Sequence, residues 1–210
     1  ATGSLDTSFG DDGVVVTDFN QPKDHGHAVV IQTDGKIVVS GFTNPEYGAG
    51  FSFMNSDFCM ARYTPDGSLD ATFGIGGKVI SNFTVGTACQ EAALQSDGKI
   101  ILLGFAINNG EDFALARYNA NGSVDSTSGD GGLVLTDFAG ATFPNDRAFA
   151  AALQTDGKIV VSGSANSNAD SALVRYNSDG TRDTSFGTGG KVVADFDEFD
   201  AFVDVAIYGG

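Results

Sequence analysis

Short runs of β-branched and aliphatic residues alternate along this chain with clusters of Gly, Asp and Asn, and no stretch sustains the three-and-four spacing of a helix. The first sixty residues set the order. Runs at 14–19, 28–32, 36–41 and 58–63 read as four successive strands. Thr33-Asp34-Gly35 joins the second to the third as a tight turn, because Asp-Gly supplies the positive φ that a right-twisted hairpin requires. Several runs are apolar at every position, as in Ile100-Ile101-Leu102-Leu103 and Ile159-Val160-Val161. A sheet with one wet face alternates instead, so these strands are expected to be covered on both sides. Ala92-Ala93 and Ala150-Ala151-Ala152 are small enough to let neighbouring sheets approach closely or converge on an axis.

The pattern recurs. Gln-Xaa-Asp-Gly-Lys begins at Gln32, Gln95 and Gln154, about sixty residues apart, which is the spacing of a supersecondary unit that stacks on copies of itself. A second signature keeps step with it. Ala61-Arg62-Tyr63, Ala116-Arg117-Tyr118 and Val174-Arg175-Tyr176 lead through short polar turns into corners that carry Asp70, Asp125 and Asp183. Another copy of that corner, with Asp6, stands near the start. Four short antiparallel strands per repeat are the content of one propeller blade. The expected fold is therefore all-β: a β-propeller-like array with units at approximately 3–66, 67–121, 122–179 and a partial 180–210. Three units and half of a fourth fall short of the four to eight blades that close a ring. The expectation is a fragment of a longer chain, a ring completed by a second copy, or an open array whose unfinished sheet adds a neighbour's strands.

Leu5-Asp6-Thr7-Ser8-Phe9-Gly10, the run from Gly13 to Phe19, and Gln32-Thr33-Asp34-Gly35-Lys36 followed by residues 37–41 together resemble the delta-60 repeat, a family of unknown function. The likeness returns at Leu69-Asp70-Ala71-Thr72-Phe73-Gly74 and at Thr184-Ser185-Phe186-Gly187, so it spans essentially the whole chain. It implies a propeller-like fold of the kind found in tandem in large secreted or surface-attached bacterial proteins, and no defined activity. The third corner departs from the pattern, with Ser128 where the motif has Phe, which predicts looser packing there.

Charge narrows the partners. With 27 acidic against 11 basic residues the formal net charge is −16, which opposes phosphate backbones and anionic lipid. Nucleic acid is excluded on this ground. No run approaches the roughly 20 apolar residues of a membrane-spanning helix, and no charged-then-apolar leader opens the chain. Cys59 and Cys89 occupy positions that other copies fill with Ala or Gly. A disulfide between them is one expectation and two buried thiols the other.

Asp6, Asp70, Asp125 and Asp183 recur at the corners, where a carboxylate can accept bonds from turn amides, and are read as structural. Arg62, Arg117 and Arg175 are read as braces to those carboxylates rather than as a ring of anion-binding groups. Calcium is the cofactor candidate, through Asp11, Asp12 and Asp130 in Gly-rich loops and Asp197, Glu198 and Asp200 in the densest acidic run. His25 and His27 lie in one segment without copies, too few for a structural zinc site. The longest insertion, 42–57, carries Tyr47, Phe51, Phe53 and Met54, which serve either as a partner contact on one rim or as a local cap on the core. Asn82-Phe83-Thr84 and Asn121-Gly122-Ser123 match glycan acceptors formally.

No acid, base and nucleophile converge in the sequence. The functional expectation is a non-catalytic, extracellular scaffold that binds or adheres to a protein or glycan surface. A structural protein assembling head to tail, and a propeller enzyme acting on glycans, are the alternatives.

Overall fold

The computed structural model describes residues 3–44, 53–138, 145–166, 170–197 and 200–208. Twelve strands and no helix are found among them. They form three antiparallel sheets of four, each a simple meander. Blade 1 contains β1 (Lys23–Ile31), β2 (Ile37–Asn44), β3 (Asp57–Tyr63) and β4 (Lys78–Ile80). Blade 2 contains β5 (Thr87–Leu94), β6 (Ile100–Ile107), β7 (Glu111–Tyr118) and β8 (Leu133–Thr136), and blade 3 β9 (Arg147–Leu153), β10 (Ile159–Ala165), β11 (Asp170–Tyr176) and β12 (Lys191–Ala194).

The hairpin motif explains the tightest turns. Gly35, Gly98 and Gly157 hold φ values of 81°, 85° and 83°, a region that only Gly enters freely. In each copy the Gln amide donates to the Lys carbonyl at 2.8 Å. The Asp Oδ1 accepts the Lys amide at 3.1–3.2 Å, which leaves the turn amides satisfied.

The phase of the blades differs from the phase of the sequence repeat. Residues 14–19 form no strand in the structure; their counterparts are β4, β8 and β12, the outermost strand of each sheet. Each blade thus draws its last strand from beyond the Leu-Asp-Xaa-Thr-Phe-Gly corner, where the following sequence unit begins. The outer strand then reaches the next blade. Ser81 and Tyr118 hydroxyls meet across the first junction, and Thr136 Oγ1 and Tyr176 Oη lie 2.8 Å apart across the second. Thr17 Oγ1 stands 2.6 Å from Tyr63 Oη, so residues 9–19 keep the same place beside blade 1.

Two apolar layers lie between the blades. Val38, Phe58 and Met60 of blade 1 pack on Ile100, Leu102, Ala114 and Ala116 of blade 2. Ile101, Leu103, Phe113 and Leu115 on the opposite face of blade 2 pack on Ile159, Val161, Ala172 and Val174. The central strand β6 is therefore apolar at every position because it is covered on both sides, each aliphatic side chain contributing about 2 kcal/mol by burial. The alanine-rich inner strands β5 and β9 touch, as do β1 and β5, which is where the blades converge.

Of the two expectations for the cysteines, the disulfide is not formed and two buried thiols are found. Cys59 is in blade 1, and Cys89, on β5 of blade 2, packs against the opposite face of blade 1. Cys89 belongs to the layer between blades 1 and 2, with Sγ 3.8 Å from Ser40 Oγ. Cys59 faces away from that layer, toward residues 9–19. Burial raises both thiols, Cys89 to about 12.

Candidate functional site

The recurring charged residues meet at one place in each blade. Arg62 Nε donates to Asp70 Oδ2 at 2.9 Å, and Lys36 Nζ lies 3.1 Å from the same oxygen. Asp70 Oδ1 accepts from the Thr72 amide and hydroxyl at 3.0 and 2.6 Å. Arg62 Nη1 then crosses to the next blade and donates to the Ala120 carbonyl at 2.6 Å. One guanidinium thus ties the hairpin, the third strand, the corner and the following blade. Blade 2 repeats this with Arg117, Asp125 and Lys99, ion-paired at 3.0 Å, and with Arg117 Nη1 donating to the Ser178 carbonyl at 2.6 Å. In blade 3 Arg175 and Lys158 lie 2.8 and 3.2 Å from Asp183. The Arg175 side chain is 20% exposed against 7% for the other two, and it makes no bond to another blade among the described residues.

Hydrogen bonds set the state of these carboxylates. The hydroxyls of Thr72, Thr127 and Ser185 are the largest influence holding Asp70, Asp125 and Asp183 well below the usual carboxylate range; the ammonium groups act in the same sense and burial opposes them. Asp6, without a brace, is lowered by Ser8 alone. Arg62 and Arg175 also stack on Phe73 and Phe186, 4.6 and 4.7 Å from the ring centroids. Ser128 removes that ring from blade 2, yet the corner is not loose. Ser128 is fully buried, and the next turn closes on it so tightly that a Cβ on Gly180 would lie 2.2 Å from its Oγ.

The calcium candidates are not brought together among the described residues. Asp11 and Asp130 each cap a small turn, with amides donating to Val14 and Leu133 carbonyls, and Ile75 and Thr188 do the same in the other copies. The turn needs no carboxylate. Asp12 sits in that first turn at φ 51°, Asp197 in another at φ 78°, and Asp200 accepts the Phe196 amide at 2.7 Å. Glu198 lies outside the described residues.

A different trio does converge. Asp112 at the start of β7, Asp137 after β8 and Asp146 before β9 place carboxylate oxygens within 4.8 Å of one another at the junction of blades 2 and 3. Asp146 accepts from the amides of Phe138 and Asn166, both at 2.8 Å, and Asp112 from Asn108 Nδ2 at 3.2 Å. Burial raises Asp112 and Asp146, and the neighbouring Asp137 adds to it. A cation held there by one oxygen of each carboxylate would have three protein ligands, fewer than the six to eight oxygens calcium takes. The sequence signs were three columns: Asp57, Asp112 and Asp170 at the head of each third strand, Asp18, Asp137 and Asp195 before a recurring Phe, and Asp24, Asp146 and Asp200, each of which accepts that Phe amide. Beside the trio, Glu111 holds Arg147, whose guanidinium lies 4.7 Å above the Phe105 ring.

Phe53 is half-buried, edge-on to Phe42 and Phe105 at 5.5 and 5.0 Å, and covers the junction of blades 1 and 2. Met54 beside it is 68% exposed, while Tyr47 and Phe51 lie outside the described residues. His25 and His27 stack on Phe42 at 4.8 and 5.3 Å, and burial lowers His27.

Pockets open where hairpins of adjacent blades face each other. One of about 470 Å³ lies between the hairpins of blades 1 and 2, and one of about 560 Å³ between those of blades 2 and 3. A family model described as a domain of unknown function (DUF5122) beta-propeller matches residues 32–73, 95–127 and 154–186. The chain belongs to this family. It is the family of the delta-60 repeat. Each DUF5122 match starts at the Gln of a hairpin and ends in the corner, so it contains the Lys, Arg and Asp of one brace. No curated protein matches the chain.

Proposed function

We propose that this DUF5122 propeller is a non-catalytic binding scaffold that works at an extracellular or bacterial cell surface. The observation that carries the reading is the brace. The Arg, Lys and corner Asp that recur in every blade are consumed in bracing it, and Arg62 and Arg117 also hold the next blade, which leaves ligand contact to the hairpin pockets and to the rim loops that vary from copy to copy. The charge of −16 supports partners that are neutral or basic. The test is titration calorimetry of the chain with polysaccharides and peptides, run beside assays of glycoside hydrolysis. Saturable binding without turnover is expected. Turnover that is lost on replacing Asp112 or Asp146 would instead establish a glycan-acting enzyme at the acidic trio.

A second reading, assembly through an open edge, is favoured by one observation. Residues 9–19 stand beside blade 1 with a gap of about 390 Å³ between them, lined by Ile37, Val39, Cys59 and Ala61. The equivalent positions Ile100, Leu102, Ala114 and Ala116 are buried under blade 1. Three inner strands of another blade complete such a gap, and light scattering that finds only monomer at high concentration overturns this reading.

A further inference from the structure

The hairpin motif holds one residue that neither the turn nor the brace requires. Asp and Gly make the turn and Lys serves the brace, whereas the Gln side chain bonds to the brace arginine in blade 1 but not in blade 2. Gln95 shows its use. Its Nε2 donates to the Ser178 carbonyl of the next blade at 3.0 Å, while Oε1 is buried and accepts no hydrogen bond. The residue is 8% exposed and lines the 560 Å³ pocket together with Leu94, Asp97, Leu153 and Asp156. The smaller pocket between blades 1 and 2 is its repeat, with Gln32, whose Oε1 accepts from Arg62 Nη1 at 3.3 Å.

Gln95 and Asp97 line both pockets, but the smaller one also contains the Arg62 guanidinium, so charge distinguishes the larger pocket. Asp34 and Asp156 are paired with the Lys of their own hairpins at 3.3 and 3.7 Å. Lys99 instead turns to Asp125 and Asn119, at 3.0 and 3.1 Å, so Asp97 makes no ion pair among the described residues. The pocket therefore combines a buried acceptor, an exposed uncompensated carboxylate and two leucine side chains. Its complement is a donor-rich cation on an aliphatic stem.

We propose that the pocket between the hairpins of blades 2 and 3 binds a primary ammonium group on an alkyl chain, as presented by lysine side chains of a basic polypeptide. The proposal rests on the scaffold reading and names its site and ligand. The ammonium group donates to Gln95 Oε1 and the Asp97 carboxylate, the alkyl stem lies against Leu94 and Leu153, and the charge of the whole chain draws the ligand in.

The test is calorimetric titration of the chain with hexalysine, spermidine and maltohexaose. Asp97→Asn keeps the turn, because Asn Oδ1 still accepts the Lys99 amide. It is expected to weaken hexalysine binding about three- to fivefold, the range of one solvent-accessible charge pair. Asp66→Asn removes the same charge from an exposed turn whose counterpart is Asn121, and is expected to change affinity less than about twofold. Spermidine binding with the same dependence on Asp97, at equal or higher affinity, supports the ammonium chemistry and assigns it to a free polyamine. Equal losses in the two variants reduce the effect to diffuse charge attraction and overturn the pocket. Binding of maltohexaose alone, insensitive to Asp97, also overturns it while leaving the scaffold reading intact. Glycoside turnover without saturable binding of any probe overturns the scaffold reading itself.

Discussion

The three braces share residues but not surroundings, so they should differ in strength. Arg→Met at positions 62, 117 and 175 keeps most of the aliphatic stem and removes the charge and its hydrogen bonds. Arg117 is almost buried and loses three partners, Asp125 at 3.0 Å, the Ser178 carbonyl at 2.6 Å and Thr127 Oγ1 at 3.1 Å. Breaking a buried pair costs roughly 3–5 kcal/mol, and Lys99 still neutralises Asp125, which puts R117M near 3 kcal/mol. R62M belongs with it, since Arg62 holds Asp70, Thr72 and the Ala120 carbonyl at 2.9, 3.1 and 2.6 Å. Arg175 has Asp183 at 2.8 Å, Ser185 Oγ at 3.4 Å and more solvent, so R175M should cost about 1 kcal/mol. Urea unfolding followed by circular dichroism measures the three losses, and native-state hydrogen exchange at β3, β7 and β11 assigns each to its blade. An R175M loss equal to that of R117M would show that the cross-blade bond adds nothing and would refute the reasoning.

Stability should peak below neutral pH. Burial raises Asp57 to about 6 and raises Asp112 and Asp146, so their ionised forms destabilise the fold at pH 7 and that penalty fades as pH falls. The braced Asp70, Asp125 and Asp183 are lowered, so their contribution is full above about pH 4 and is lost on further acidification. A melting temperature that rises from pH 7 to a maximum near pH 5 and then drops is the expected profile; a monotonic fall from pH 7 contradicts it. Asp112→Asn relieves repulsion in the trio and should raise the melting temperature at pH 7 by about 2–4 °C, the equivalent of about 1 kcal/mol in a chain of this size. A lower melting temperature, with wild type sensitive to chelator, would mean that the trio needs its charge for a cation. Cys59, lining the gap beside residues 9–19, should react with an organomercurial in the native protein well before Cys89, and equal rates would place both in a closed core.

The individual strands were legible because their chemistry is local. Residues 28–32 and 36–41 carry β-branched runs joined by an Asp-Gly turn, residues 58–63 form an aromatic-ended apolar run before a polar turn, and each overlaps an observed strand. Their grouping was not. A repeat fixes the period but not the phase, and nothing local shows that Lys78 to Ile80 pairs back onto Cys59 to Ala61. Residues 14–19 occupy the repeat position of β12 yet form no strand.

The same division holds for the site. Arg62, Asp70 and Lys36 stand out because they recur, and recurrence at a fixed period marks whatever each junction needs. Asp112, Asp137 and Asp146 stand out less. They come from three separate strand ends of two blades, and although Asp18 and Asp195 repeat Asp137, and Asp24 and Asp200 repeat Asp146, the first junction has Asn82 and Thr87 in those places. Features common to all blades report how the array is held together, whereas a binding site arises where one blade departs from the rest. Lys99 turning away from Asp97 is such a departure, invisible in a motif that is identical in all three copies and apparent only in which carboxylate the ammonium group reaches.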